Sequence, residues 1–261
     1  MFNSGKAFYY LHIPKTAGTT ICFSVLPQMF DNEEICSAHD YAELLPIRPD
    51  NFGEYRLFRG HFYYSFTRLF RERPVLMTML RDPVERSLSH YDHICRDSRH
   101  YHYSLMPRGL VSAWPLPPLL PRDFQVASLA YDFDPIEMLR GVREATDDGI
   151  DGYSVSYLEI TKRPPTRADL KVACQRLKEM EFVGIVERFD ESLELLCSTF
   201  DWPIPKYQRI NVAPSRTRME NVPNAILNEI REANRLDGEL YEFANELLSK
   251  RVADSCSPVL V

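Results

Sequence analysis

The chain has 261 residues, of which 44% are apolar, and a formal net charge of −6 at pH 7. This length and apolar content suffice for one α/β domain with a full core, and the negative charge argues against broad nucleic-acid binding. No apolar run is long enough to span a membrane, and the first fifteen residues lack the basic and hydrophobic segments of a secretory signal, so we expect a cytosolic protein. The six cysteines show no C-x-x-C pair and no regular spacing, which indicates reduced core residues.

The first predicted strand covers residues 7–11 and is followed by residues 12–20, HIPKTAGTT, and an apolar helix over residues 21–29. A loop that enters a helix presents unpaired N–H groups and the positive end of the helix dipole, which favours a phosphate or sulfate. The loop is not a Walker A sequence, because Lys15 precedes the only glycine, Gly18, which we expect to make the tight turn. A plain strand-to-helix turn is the alternative. The side chains expected at the anion are Lys15, Thr16, Thr19 and Thr20.

A second strand is predicted over residues 55–59 and ends at Gly60, so that His61 emerges at the sheet edge where the first loop opens. An unperturbed imidazole has a pKa of about 6.5 and is partly neutral near pH 7, as a general base must be. His61 is therefore a candidate base, with a structural histidine near a strand end as the alternative. His12 is interpreted as shaping the loop.

A third strand, residues 74–80, runs directly into Arg81 and Asp82. Asp82 is a suitable N-cap, a proline follows at the first helical position, and Glu85 completes the pattern of a capping box. Arg81 then lies at the end of the strand, and Ser89 lies on the helix face that points back toward it. The junction predicts a second anion site; the alternative is that Arg81 only pairs with a carboxylate.

Regular patterns are lost around residues 98–135, which we interpret as a Pro-rich insertion in a single domain spanning residues 1–261. The Pro-rich composition of residues 106–121 favours an extended lid or a wall of the acceptor site, with a docked surface segment as the alternative. The aromatic residues 101–103 could stack on a sugar. His100 and His102 lack acidic or cysteine partners at ligand spacing, so no metal site is predicted.

Arginines cluster on both sides of the second junction. They could form a groove for an anionic glycan, although ordinary surface pairs are slightly favoured. The arginines concerned are Arg56, Arg59, Arg68, Arg71, Arg73, Arg96, Arg99 and Arg108.

Beyond residue 150, strands and helices alternate again, as is typical of a parallel sheet. Thr166 and Asp169 predict a capped helix, residues 182–186 a strand, and Asp190 the N-cap of the next helix. One terminal helix is expected over residues 223–250.

The two junctions, HIPKTAGTT and RDPVERSLSHY, resemble the 5′-phosphosulfate and 3′-phosphate motifs of sulfotransferases, whose donor is 3′-phosphoadenosine 5′-phosphosulfate (PAPS). The match is nearest to the carbohydrate branch, which includes heparan sulfate 2-O- and 6-O- and chondroitin 4-O-sulfotransferases. It continues faintly through residues 182–196 and 209–216 and leaves out roughly residues 98–150. The resemblance implies a P-loop-like three-layer α/β fold with a central parallel sheet flanked by helices, and sulfuryl transfer from PAPS to a hydroxyl of a glycan or glycolipid.

Carried over residue by residue, the resemblance implies that Arg81 and Ser89 hold the 3′-phosphate. His61, in the G-H pair that similar enzymes carry between the motifs, would act as base. The basic loop of residues 209–218 is expected to fold over the nucleotide, with Arg216 as a further phosphate contact. The similar animal enzymes are anchored in the Golgi, so a lumenal domain without its anchor is the alternative to a cytosolic protein. The implied 5′-phosphosulfate ligands are Lys15, Thr16, Gly18, Thr19 and Thr20, with Lys15 also catalytic.

Two other functions remain open at this point. A phosphotransferase using ATP and Mg²⁺ would need a carboxylate near the phosphate loop, for which Asp82 is the nearby candidate. A non-catalytic nucleotide-binding or glycan-binding module would keep the pockets without the transfer, although the presence of both Lys15 and His61 favours an enzyme. The sequence does not indicate an oligomeric state.

Overall fold

A computed structural model describes residues 6–98, 103, 120–148, 152–208, 210 and 216–256. Within these residues the chain forms a four-stranded parallel sheet with the order β2-β1-β3-β4. Every residue of the four strands is buried, as in a parallel sheet that helices cover on both faces. The three-layer α/β fold is therefore confirmed. The strands are β1 Phe8–Leu11, β2 Leu57–Gly60, β3 Val75–Leu80 and β4 Phe182–Ile185.

The order of the strands reverses at β1, which pairs with β2 on one side and β3 on the other. Leu11, the last residue of β1, lies opposite Gly60 and Thr78. In open parallel sheets, ligands bind beyond the carboxyl ends of the strands at such a reversal. The segments that follow β1 and β3 therefore meet at one crevice.

The helical segment after β1 is irregular, so the prediction of a regular helix over residues 21–29 is wrong. A short α-helical turn is followed by a π-helical turn, Ile21–Val25, and a 3₁₀ turn, Leu26–Gln28. Arg59 is buried and donates to the carbonyl of Cys22 within the π turn. The α-helices are α1 Gly18–Thr20, α2 Tyr41–Leu44, α3 Pro83–Arg96, α4 Phe124–Ala130, α5 Pro135–Asp147, α6 Gly152–Thr161, α7 Arg167–Glu179, α8 Phe189–Phe200, α9 Asn224–Ala233 and α10 Arg235–Cys256.

The predicted helix caps have different outcomes. At α7, Thr166 and Asp169 form the expected reciprocal capping box. At α3, the Asp82 carboxylate accepts the N–H of Glu85 as predicted. The prediction for α8 is wrong, because this helix begins at Phe189, and Asp190 instead accepts a hydrogen bond from the Tyr207 hydroxyl at 2.7 Å.

The predicted terminal helix is two helices, α9 and α10, which meet at Asn234. This residue is buried, and its side-chain amide donates to the Ile230 carbonyl at 2.9 Å. Its side-chain oxygen accepts the main-chain N–H of Asp123 at 3.1 Å. A side chain that bonds to its own helix and to a distant loop favours a break at this point.

Part of the expected insertion belongs to the core. Helix α4 is buried along its whole length and packs against α7 and α10. Several sequence predictions lie outside the described residues, namely those for Arg99, His100, Tyr101, His102, Arg108 and residues 106–119.

No helix in the described part of the chain is long and apolar enough to cross a bilayer. The cysteines whose side chains the structure describes are all free thiols, three of them buried.

Candidate functional site

The loop after β1 turns at residues other than its glycine. Lys15 and Ala17 have positive φ angles, 72° and 59°, a left-handed conformation that costs an L-residue roughly 1–2 kcal/mol. Gly18 is required for another reason, because a Cβ at this position would lie 1.9 Å from Cδ2 of His12. The expectation that Gly18 makes the tight turn is therefore wrong; this glycine makes room for an imidazole.

The three threonines of this loop have different surroundings. The Thr16 hydroxyl is fully buried and donates to the Ile13 carbonyl at 2.8 Å, so it holds the loop in shape. Thr19 and Thr20 both line a cavity of about 240 Å³ beyond the ends of β1 and β3. Thr20 also accepts the N–H of Ile210 through its hydroxyl at 3.1 Å, which attaches a distant segment to the rim of the cavity.

This cavity, which we call the loop cavity, brings together most of the predicted ligands. They come from both junctions and from the basic loop near residue 216. Thr16 and His61 are the predicted site residues that do not line it, whereas His12, Asp92 and Arg96 line it without having been predicted as ligands. The predicted residues in its wall are Lys15, Gly18, Thr19, Thr20, Arg81, Ser89 and Arg216.

Among the described residues, four cations face the loop cavity: Lys15, Arg81, Arg96 and Arg216. Burial and the positive charges of Arg96 and Arg81 lower the pKa of Lys15 from 10.5 to about 8. Asp92 opposes this shift. A bound anion would offset the repulsion among these positive charges and so raise the pKa of Lys15 again.

Arg81 connects the two junctions. Its guanidinium donates to the carbonyl of Lys15 at 3.2 Å and forms ion pairs with Glu85 at 3.0 Å and Glu187 at 3.7 Å. The carboxylate pairing suggested as the alternative for Arg81 is present, but the same side chain also lines the loop cavity. Arg216 pairs with Glu85 as well, so one carboxylate holds two arginines side by side.

A larger cavity of about 630 Å³ adjoins the loop cavity. The two share Arg81, Arg216, Val186 and Phe189 in their walls. The larger one extends along the end of β4 toward Tyr241, whose hydroxyl donates to Glu187 at 3.1 Å. A ligand longer than one anionic group could thus bind across Arg81 and Arg216.

The rings of His12 and His61 pack against each other beside the loop, with an angle of 31° between their planes. Their ring centroids are 4.2 Å apart, and Nδ1 of His61 lies 2.8 Å from the carbonyl oxygen of His12. A proton on Nδ1 makes this hydrogen bond and leaves Nε2 with a lone pair. Burial lowers the pKa of His61 to about 4, and burial together with His61 and Lys15 lowers that of His12 well below its usual value. Both rings are neutral at pH 7.

No family model matches the chain. It is 31% identical to Heparan-sulfate 6-O-sulfotransferase 3 of Mus musculus over 229 residues, which are 83% of this chain and 45% of the mouse protein. It is 26% identical to Galactose-3-O-sulfotransferase 3 of Bos taurus over 272 residues, 94% of this chain and 57% of the bovine protein. The chain belongs to the carbohydrate sulfotransferase family. It spans about half the length of these two relatives.

A shorter match is to a sulfotransferase whose name gives tyrosine as the acceptor. This family member is 34% identical to Protein-tyrosine sulfotransferase of Arabidopsis thaliana over 86 residues, which are 32% of the chain and 16% of the plant protein. The similarity over most of the chain is therefore to carbohydrate enzymes, and the similarity to a tyrosine enzyme is partial.

Two ligand candidates of this sulfotransferase homologue could have been found from helical spacing. Asp92 and Arg96 lie three and seven residues after Ser89 on α3, so the three side chains share one face of the helix. Extending that face by two turns from Ser89 would have added Arg96. The Asp92 carboxylate accepts both the N–H and the hydroxyl of Thr217, at 2.8 and 2.6 Å, which places the segment that carries Arg216.

The arginines near His61 do not form an open basic groove. Arg56 pairs with Glu34, Arg68 with Asp132, and Arg73 with Glu181. The interpretation as ordinary ion pairs is confirmed for these three. In the described part of the chain, no group of three His, Cys, Asp or Glu side chains is placed to hold a metal ion.

Proposed function

We propose that this chain transfers the sulfuryl group of PAPS to a hydroxyl of a carbohydrate. The observation that carries the proposal is the arrangement of Lys15, Arg81, Arg96 and Arg216 around the loop cavity at the reversal point of the sheet. Arg81 and Arg216 also line the adjoining cavity. PAPS bears anionic groups at two separate positions on its ribose, and the cavities offer cations at two junctions. Burial is the main cause of the lowered pKa of Lys15, and the positive charges of Arg96 and Arg81 add to it, so an anionic donor would stabilise the charged form of this lysine.

The residues divide by position. Lys15, Thr19 and Thr20 lie on the loop after β1 and would hold the 5′-phosphosulfate, with Gly18 admitting His12 beside them and Thr16 fixing the loop. Arg81, Ser89 and Arg216 lie around the second junction and would hold the 3′-phosphate. The planar fork of an arginine can bind two phosphate oxygens at once. PAPS supplies an activated sulfuryl group when it is bound.

Proton transfer is assigned to His61. The hydrogen bond from Nδ1 to the His12 carbonyl fixes the ring and selects the tautomer in which Nε2 is unprotonated, the form that can accept the proton of the acceptor hydroxyl. Lys15 is mostly protonated at pH 7, since its pKa is about 8, and its ammonium stabilises the negative charge that develops on the leaving phosphate. His12 is the competing base, because its ring lines the loop cavity.

The decisive experiment incubates the purified protein with ³⁵S-labelled PAPS and three acceptors: a heparan-type glycan, a galactose-terminated oligosaccharide and a tyrosine peptide. We expect label on a sugar. Label on the peptide alone would overturn the carbohydrate assignment. Transfer of phosphate from ATP with Mg²⁺, but no sulfation, would favour the phosphotransferase.

Two variants separate binding from chemistry. His61→Ala should keep the affinity for 3′-phosphoadenosine 5′-phosphate (PAP) and lose roughly 100-fold or more in turnover, the usual scale of general base catalysis. His12→Ala is the matched control, since it removes the neighbouring imidazole but keeps the carbonyl that orients His61. A larger loss of turnover in His12→Ala than in His61→Ala would transfer the role of base to His12.

A further inference from the structure

We propose that Gln125 is a positioning residue for recognition of the 3′-phosphate, because it fixes the main chain of Arg81. The inference rests on the proposed function and adds to it a residue that touches neither cavity. It also gives helix α4, which the sequence assigned to an insertion, a part in the donor site.

Gln125 binds both main-chain polar groups of Arg81. Its side-chain oxygen accepts the N–H of Arg81 at 2.9 Å, and its side-chain nitrogen donates to the carbonyl of Arg81 at 2.9 Å. The last residue of β3 with a strand partner is Leu80, which lies opposite Ile185. Arg81 is therefore the first residue beyond the ladder, and the primary amide of Gln125 supplies the pair of hydrogen bonds that a neighbouring strand would have supplied.

Burial and main-chain hydrogen bonds also fix the position of Gln125. Its side chain is fully buried, and its main-chain N–H donates to the Asp237 carboxylate at 3.1 Å. The same carboxylate accepts the N–H of Val126 at 2.8 Å. In return, the N–H of Asp237 donates to the Asp123 carboxylate at 2.9 Å, so the first turns of α4 and α10 cap each other. A continuous set of hydrogen bonds thus connects α10 through Gln125 to Arg81.

The position of the Arg81 main chain sets the position of its guanidinium. The side chain already contacts Lys15, Glu85 and Glu187, and hydrogen bonds to a phosphate tolerate little displacement. A site residue works only when its own support is rigid. Without Gln125, the main chain of Arg81 would lose two hydrogen bonds in a buried place, and the guanidinium would be held less accurately. The loss should appear in binding of the 3′-phosphate and hardly in binding of the 5′-phosphate.

The test compares two ligands, PAP and adenosine 5′-phosphate, by calorimetry. The quantity of interest is the ratio of their affinities, which measures the contribution of the 3′-phosphate. Gln125→Met keeps the length of the side chain and removes both hydrogen bonds; we expect the ratio to fall about tenfold, with the affinity for adenosine 5′-phosphate nearly unchanged. Gln125→Asn retains an amide that is too short to reach both groups of Arg81, and we expect a fall in the same direction.

Ser128→Ala is the matched control. Ser128 lies in the same helix and is equally buried, but its hydroxyl donates to the Phe124 carbonyl within α4, so the ratio should stay at the parental value. Equal losses of affinity for both ligands in the Gln125 variants, or an unchanged ratio, would overturn the inference. So would failure of both Gln125 variants to fold, since a positioning role does not require Gln125 for folding. If the parent protein itself binds the two ligands equally, the proposed 3′-phosphate site is wrong, which is a separate result.

Discussion

Replacing Gly18 by alanine is expected to destabilise the protein through a single contact. The added Cβ would lie 1.9 Å from Cδ2 and 2.0 Å from Nε2 of His12, well inside contact distance. The imidazole would have to move, and the ring of His61 lies against it, with 4.2 Å between the ring centroids. Overpacking of this kind costs about 1–3 kcal/mol. We therefore expect Gly18→Ala to lower the free energy of unfolding by that amount and to reduce turnover by displacing His61.

The structural cause can be isolated by removing the imidazole. In a His12→Ala background the Cβ at Gly18 meets no ring, and alanine in a helix is favoured over glycine by about 0.5–1 kcal/mol. The effect of Gly18→Ala on stability should then change sign. The coupling energy between the two substitutions should be roughly 1.5–4 kcal/mol.

Urea unfolding of the parent, both single variants and the double variant gives this coupling energy directly. Gly141→Ala is a suitable control, because a Cβ at Gly141 in α5 would have open space around it. It should stabilise the protein slightly whether or not His12 is present. If Gly18→Ala destabilises by the same amount with and without His12, Gly18 is needed for its backbone conformation and not for the space that it leaves to the imidazole.

Three further outcomes are expected. The value of kcat/KM should fall below about pH 4, where His61 gains a proton, and above about pH 8, where Lys15 loses one. An acid limb near pH 6.5 would contradict the claim that burial lowers the pKa of His61. Asp92→Asn removes a carboxylate that raises the pKa of Lys15, so the alkaline limb of the pH profile should move below pH 8. An alkaline limb at the parental pH would show that Asp92 and Lys15 do not interact. Asn234→Ala leaves the N–H of Asp123 without its side-chain acceptor and should cost roughly 1–3 kcal/mol in urea unfolding, whereas an unchanged midpoint would contradict the role of Asn234 in the break between α9 and α10.

The sequence predicted the features whose causes are local. The strands 7–11, 74–80 and 182–186 are short apolar runs with clear boundaries, and the structure places β1, β3 and β4 within them. The caps at Asp82 and Thr166 depend on residues three positions apart, and both are present. The meeting of both anion loops follows from the rule that parallel strands end at a common edge. Half of the described residues that line the loop cavity, seven of fourteen, were therefore predicted as ligands without a structure.

Features that depend on distant partners were missed. Arg81 is fixed by Gln125, about forty positions later, and Asn234 breaks a helix by bonding to Asp123, more than a hundred positions earlier. The requirement for glycine at position 18 comes from the ring of His12 and not from a turn type. A single sequence carries no pattern for such pairs, because each residue alone is compatible with many surroundings.

The sheet consists wholly of pairings between segments far apart in the chain. β1 joins β2 across about fifty positions, and β4 joins β3 across about a hundred. Loop closure must precede such contacts, so ordering of the sheet is expected to be slow compared with formation of the helices. During synthesis, β3 has no partner on one edge until the ribosome has passed residue 185. Until that point its mostly apolar side chains are exposed to association with other nascent chains. Yield of active protein should therefore respond to translation rate and chaperone supply.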